Sequence, residues 1–146
     1  MLQQNQDTTL LEQVYHSADM GERGTSLLMK KSKEAKLSSK LGEFRDEYAE
    51  IKSEAAERLF ATGQPPRQAT TLEATAQWMG VQLSTLADQS PSRMAEMLIT
   101  GSTRKMIKGI GEIRQHPDAK RETRMLAGRL VALEDDTLNT MRTYLN

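Results

Sequence analysis

Apolar residues return every three or four positions through four long stretches of this 146-residue chain, and no stretch alternates apolar and polar residues over a useful length. The first spacing lines one face of an α-helix, whereas alternation would indicate a β-strand. Aromatic residues make up only 4% of the chain and methionine occurs nine times, so the interior must be filled by Leu, Ile and Met. Such a core suits helix packing. We therefore predict an all-α protein.

The amino-terminal half contains two predicted helices. Asp7 or Thr8 is expected to cap the first helix, which ends in the range 33–37. The second helix runs from about 38 to 61, and Gly63 is a natural stop. The side chains expected to face the core are Leu10, Val14, Ser17, Gly21, Thr25 and Leu28 in the first helix and Leu41, Phe44, Tyr48, Ile51, Ala55 and Leu59 in the second.

Gly21 and Gly24 stand in the interior of the first predicted helix. Glycine costs about 1 kcal/mol relative to alanine at such a position, because it loses more backbone freedom on folding. Close approach of a neighbouring helix is one account of that cost.

The carboxyl-terminal half contains two more predicted helices. Ser90 is a good N-cap with Pro91 in the first turn, and the helix that they open runs to about Gln115. The segment 116–118 is expected to be a turn and a new cap before the last helix. The side chains expected to face the core are Ala95, Ile99, Ser102, Met106, Ile110 and Ile113 in one helix and Leu126, Leu130, Leu133, Thr137, Met141 and Tyr144 in the other.

A long connection separates the two halves. The segment 63–68 contains two prolines and is predicted to be a loop, and 70–73 has the form of a capping box that opens a short helix ending before Asp88. Short turns join the helices within each half, so each half is predicted to be an antiparallel hairpin. One long crossover between hairpins is the ferritin-like arrangement. We therefore predict a single domain, 1–146, that is a ferritin-like antiparallel four-helix bundle with an extra short helix in its crossover.

Three features of the chain resemble the small, uncharacterised bacterial families of ferritin-like proteins. They are Trp78 in the crossover, the run from Ser90 to Gly101, and the segment from Leu130 to Asp136. The similarity in helix order extends from about 8 to 145. It implies the same four-helix bundle, and it makes a carboxylate metal site the first function to consider.

The ligands of that site are largely missing. A ferritin-like di-iron site takes a glutamate from each of two helices and a Glu-x-x-His pair from each of the other two. His16 and His116 are the two histidines of the chain, and neither has a glutamate three residues before it. In related families a glutamate often follows the glycine in the fourth helix, where this chain has Ser102. Thr137 stands three residues after Glu134, where a histidine would be expected.

Five glutamates of the second helix nevertheless form a straight column of carboxylates, which is either a solvated face or one wall of a metal site. The column consists of Glu43, Glu47, Glu50, Glu54 and Glu57. At about 100° per residue, its member closest to the apolar face, Glu47, lies roughly 75° from the centre of that face. We therefore interpret the column as an outer acidic surface.

Four glutamates remain the candidates for a metal site, namely Glu22, Glu47, Glu96 and Glu134. Apart from Glu47, each lies roughly 65–70° from the centre of its own apolar face, which is a flank position. The positions nearest the centres carry hydroxyls, at Ser17, Thr25, Ser102 and Thr137. Buried hydroxyls of this kind usually bond a carbonyl one turn back and need no ligand. We expect no bound metal or other cofactor, and iron or manganese if the alternative holds.

No other motif indicates catalysis. The chain has no cysteine, P-loop, dinucleotide glycine motif or Ser-His-Asp arrangement. His16 is expected to be a partly exposed helix residue, His116 a turn residue at a helix end, and Tyr15 and Tyr48 packing residues. We expect no catalytic residues, and an enzyme is the less favoured reading.

Composition limits the partners. The 20 basic and 20 acidic residues cancel, which argues against nucleic acid held by the overall field. No run approaches the 18 apolar residues of a membrane span, and the polar start of the chain is unlike a signal peptide. Together with the lack of cysteine, this predicts a cytoplasmic protein of bacterial type that binds neither nucleic acid nor membrane.

Charged residues divide between two surfaces. The second helix is acidic, and the last two helices carry the basic residues Arg104, Lys105, Lys108, Lys120, Arg121, Arg124 and Arg129. These are either two solvated faces or the two halves of an interface between subunits. We predict a non-catalytic ferritin-like bundle with a structural or protein-interaction role, assembled as a homodimer. The alternative is a divergent carboxylate metal protein that oxidises or stores iron or manganese.

Overall fold

Residues 2–63, 66 and 88–146 are described by the computed structural model, and within them the chain is all-helical. The helices are α1 (Leu2–Lys31), α2 (Ala35–Ala61), α3 (Pro91–Gln115) and α4 (Arg121–Arg142). No strand occurs in these ranges, which confirms the predicted fold class. The predicted crossover helix and Trp78 lie outside the described residues.

The four helices form two antiparallel hairpins, α1 with α2 and α3 with α4, and each hairpin packs tightly along its length. Between the hairpins, α1 contacts both α3 and α4, and α4 also contacts α2. The pair α2 and α3 has at most a marginal contact, so these two helices occupy diagonally opposite corners of the bundle. Asp7 of α1 lies beside Lys120 at the start of α4, so α1 and α4 run in one direction and α2 and α3 in the other.

Both amino-terminal helices begin earlier than the sequence predicts. The first helix starts at Leu2, and the expected cap Asp7 lies inside it, buried. Its carboxylate instead accepts a hydrogen bond of 3.1 Å from the backbone nitrogen of Lys120. The second helix starts at Ala35, because the Glu34 carboxylate accepts hydrogen bonds from two backbone nitrogens of its first turn.

Two other helix ends differ from the prediction, because α1 ends at Lys31 and not within 33–37, and the N-cap of α4 is Lys120 and not a residue of 116–118. The remaining ends agree with the sequence. Ser90 caps α3 with a hydrogen bond of 3.2 Å from the backbone nitrogen of Arg93 to its hydroxyl, and Pro91 occupies the first turn. The residue that ends the α2 region, Gly63, has φ of +82°, which a side chain would oppose. His116 ends α3, and the turn predicted at 116–118 joins it to α4.

One continuous apolar core contains residues from all four helices. Every position expected to face the core in α1 and α2 is buried, and so are the five expected positions within α4. The prediction for α3 was wrong at Ile110, which is 37% exposed.

Gly109 of α3 approaches Val131 of α4 so closely that a Cβ added to Gly109 would lie 3.0 Å from Val131 Cγ2. This approach turns Gly109 toward α4 and moves Ile110 to the edge.

Among the described helices, none is long and apolar enough to cross a membrane.

Candidate functional site

Three side chains from three helices meet in the interior, and we call Tyr48, Lys105 and Glu134 the central cluster. The Tyr48 hydroxyl donates a hydrogen bond of 2.7 Å to Glu134 Oε2. Lys105 Nζ lies 2.9 Å from Glu134 Oε1 and 4.6 Å from the centre of the Tyr48 ring. Glu134 is 1% exposed, so its charge is held away from water by one cation and one hydroxyl.

The surrounding helices are shaped to receive this cluster. Gly21 of α1 lies against the Tyr48 ring, and an added Cβ there would be 2.4 Å from two ring carbons. Close approach of a neighbouring helix, one account of the glycine at this position, agrees with this contact. The hydroxyl of Thr137 lies 3.4 Å from that of Tyr48 and itself donates to the carbonyl of Leu133. All four helices therefore contribute to one level of the bundle.

Burial of its hydroxyl raises the pKa of Tyr48 well above the ordinary tyrosine value, and the charge of Glu134 raises it further. The hydroxyl therefore stays protonated and remains a hydrogen-bond donor to Glu134 at all ordinary pH values.

A second ion-paired group, the Asp19 cluster, lies between α1 and α2. The buried carboxylate of Asp19 contacts Lys52 Nζ at 2.7 Å and Arg23 Nε at 3.0 Å, and Glu22 lies 3.3 Å from the same lysine. Burial lowers the pKa of Lys52, but its hydrogen bond to Asp19 and the nearby charges outweigh burial and raise the pKa overall. The lysine thus stays charged and neutralises Asp19.

The four metal candidates do not converge. Glu22 belongs to the Asp19 cluster, and Glu47 is exposed on α2. Glu96 is exposed and pairs with Arg93 of its own helix at 2.9 Å. Glu134 alone is buried, and its assignment to a flank position was wrong. It faces inward because Lys105 and Tyr48 meet both of its oxygens there.

The described residues contain no group of three or more His, Asp or Glu side chains placed to hold a metal ion. The two carboxylates with charges deepest in the bundle, Asp19 and Glu134, each already contact a lysine. A di-iron pair needs several free carboxylates around one point, and the residues described do not fit that requirement.

The glutamate column faces outward, as the interpretation of the sequence predicts. Four of its members are exposed and Glu54 is partly so. Arg129 of α4 reaches across to Glu50 at 3.2 Å and to Glu54 at 3.5 Å, so the column also links two helices. Pairs this exposed each contribute little to stability.

The histidines lie apart from the central cluster. His16 is partly exposed, as predicted, and its buried Nδ1 has no hydrogen-bond partner among the described residues. Burial lowers the pKa of His16, although Glu12 and Asp19 act in the other direction. The Nδ1 of His116 lies 2.7 Å from the carbonyl of Glu112, which places this histidine at a helix end, as predicted.

Sequence reasoning missed Lys105 and Asp19 as interior residues. One signal for Lys105 was available, because it stands three residues after Ser102 and four before Gly109, on the face that packs inward. For Asp19 the signal was its place between the buried Ala18 and Gly21. A charged residue among core positions indicates a paired interior charge.

The described chain is thus an all-α four-helix protein with an ion-paired interior. No family model, no curated protein and no solved structure matches it.

Proposed function

We propose that the protein is a non-catalytic ferritin-like bundle with a structural or protein-interaction role, and that it acts by self-association, with the homodimer as the smallest form. One observation carries this proposal. The interior carboxylate Glu134, on the helix where a metal ligand would be sought, is held by Lys105 and Tyr48.

The Lys105 ammonium neutralises Glu134 as a bound metal cation would. It supplies positive charge next to a carboxylate that is 1% exposed, and it needs no ion from solution. A metal would have to displace the Lys105 ammonium, which is itself only 13% exposed. That displacement would leave a second charge buried and unpaired.

The charges on two surfaces of the bundle support the part of the proposal that concerns self-association. All α2 carboxylates except the partly exposed Glu54 are exposed, while Lys108, Arg114, Arg121 and Arg124 are exposed on the α3–α4 hairpin. None of these four cations has an ion pair within the described residues. Complementary surfaces of this kind orient two proteins and accelerate their encounter.

Light scattering over a concentration series tests self-association. We expect the mean mass to rise with protein concentration and to fall again as salt is added, because exposed charge pairs are screened. A monomer at every concentration in low salt would overturn the proposal.

One observation favours the alternative, a divergent carboxylate protein that oxidises or stores iron or manganese. Glu134 Oε1 accepts no well-directed hydrogen bond among the described residues, although Lys105 is close. Elemental analysis after loading with iron and manganese tests this reading, with Glu134→Gln as the matched control. Less than about one metal per ten chains excludes it, since a di-metal site needs two ions. Metal bound by the wild type and lost in the control would establish it.

A further inference from the structure

The outward side of α2 combines acidic residues with one exposed ring. Asp46, Glu50, Ser53, Glu57 and Phe60 follow one another at spacings of four, three, four and three, so they share a helix face, which we call the α2 outer face. Phe60 is 64% exposed and Glu50 68%. Glu57 is exposed and has no ion pair within the described ranges.

The outward side of α3 has the opposite character. Ile107, Ile110 and Arg114 lie at spacings of three and four and form the α3 outer face. Ile107 is 65% exposed. Met106 and Ile113 border this face and are only partly buried. Two isoleucines beside a free arginine suit a partner that offers small residues and a carboxylate.

Residues of the two faces lie at matching heights along the bundle axis. The contact between Tyr48 and Lys105 sets a common level for α2 and α3, which run in the same direction. Glu57 and Arg114 each follow nine residues later, about 13 Å further along at 1.5 Å per residue. By the same count, Ser53 is level with Ile110. Two copies related by a sideways shift would bring these residues together.

The faces point away from each other, because α2 and α3 occupy diagonal corners. A closed two-fold dimer pairs one patch with the same patch of its partner, so it cannot satisfy both faces when they lie on opposite sides. An acidic face meeting a second acidic face would also be repelled. Contact between unlike faces leaves one face free at each end of the assembly.

We propose that the α2 outer face of one copy docks on the α3 outer face of the next, in an open head-to-tail chain. This inference rests on the self-association proposed above and specifies its geometry. Glu57 pairs with Arg114 across the contact, and Ile110 packs over Ser53. The proposed homodimer is then the first step of a longer series rather than its end.

Sedimentation velocity over a concentration series distinguishes the possibilities. An open chain gives a ladder of sizes that continues to grow with concentration. A distribution that stops at two copies overturns the head-to-tail arrangement and leaves the proposed self-association standing. A monomer throughout overturns both.

Two blocked variants test the faces themselves. Glu57→Lys blocks the α2 outer face. Ile107→Glu blocks the α3 outer face, because it places a carboxylate level with Glu50 of the next copy. Both residues are exposed, so the fold should hold, as circular dichroism would verify. We expect each variant alone to self-associate about tenfold more weakly or worse, roughly the effect of one lost charge pair or apolar contact. Unchanged association in either variant would overturn the assignment of that face.

Mixing the two variants gives the sharpest result. Each keeps one intact face. The two blocked faces repel each other, because the added lysine is level with Arg114 and the added glutamate is level with Glu50. We expect a 1:1 complex that grows no further. Failure to form it, with both variants folded, contradicts docking between these faces.

Discussion

The ring of Tyr48 occupies the space that a side chain on Gly21 would need, since a Cβ there would lie 2.4 Å from two ring carbons. Gly21→Ala should therefore destabilise the bundle by about 1–3 kcal/mol, the usual cost of overpacking, although alanine is the better helix former. Urea unfolding followed by circular dichroism measures the change.

Gly101→Ala is the matched control for this prediction. Gly101 also lies within a helix, but an added Cβ there would meet nothing within 4 Å. We expect this variant to gain up to about 1 kcal/mol from helix propensity. If both substitutions stabilise the protein, the close approach of α1 to Tyr48 is wrong.

The ion pair between Lys105 and Glu134 should show strong coupling. Lys105→Met leaves a carboxylate that is 1% exposed without its cation, and we expect a loss of about 3–5 kcal/mol. Glu134→Gln should cost less, because the Lys105 side chain is 13% exposed and retains some access to water. The loss of unfolding free energy in the double variant should be smaller than the sum of the two single losses by at least about 1 kcal/mol.

Arg93→Met is the control for that cycle. It removes an ion pair with Glu96 in which both side chains are well exposed, so the free energy of unfolding should change by less than about 1 kcal/mol. Strictly additive effects of the Lys105 and Glu134 substitutions would show that the two side chains are not energetically coupled.

Much of the fold follows from local signals in the sequence. The stripes of α1, α2 and α4 were predicted because apolar spacing of three and four residues is read directly from the chain. The cap at Ser90 and the stop at Gly63 were predicted because each depends on a single residue type. The hydroxyl of Thr25 donates to the carbonyl of Gly21 one turn back, as expected for a buried threonine.

The interior charges could not be predicted from the same signals. Glu134 and Lys105 lie on different helices, and their pairing depends on how far α3 turns against α4 at Gly109. A rotation that buries Lys105 also moves Ile110 outward, so one unpredicted packing contact explains two errors. Periodicity within a helix contains no information about the rotation of its neighbour.

The carboxylate of Asp7 makes a third prediction possible, because it caps a helix other than its own. It accepts the hydrogen bond from the backbone nitrogen of Lys120, at the start of α4, and is 3% exposed. Asp7→Ala should cost about 1 kcal/mol, within the range of 0.5–2 for a lost cap, as measured by thermal or urea unfolding. Asn5→Ala, an exposed change in the same helix, should be nearly neutral. Equal effects of the two substitutions would contradict a capping role for Asp7.

The buried hydroxyl of Tyr48 should make stability fall in alkaline solution. Burial and the charge of Glu134 raise its pKa in the folded protein, whereas an unfolded tyrosine titrates near 10. Above about pH 10 the unfolded chain therefore releases a proton that the folded chain keeps, and unfolding is favoured. Below that value the contribution of Tyr48 is fully present.

Unfolding free energies of the wild type and Tyr48→Phe, measured from pH 8 to about 11, test this sign. The wild type should lose more stability than the variant above pH 10, by at most about 1.4 kcal/mol per pH unit for one proton. Tyrosinate absorbance provides a second readout, because the difference between the two proteins isolates the titration of Tyr48. Parallel stability curves, or a difference spectrum that already appears below pH 10, would show that Glu134 and burial do not hold this proton.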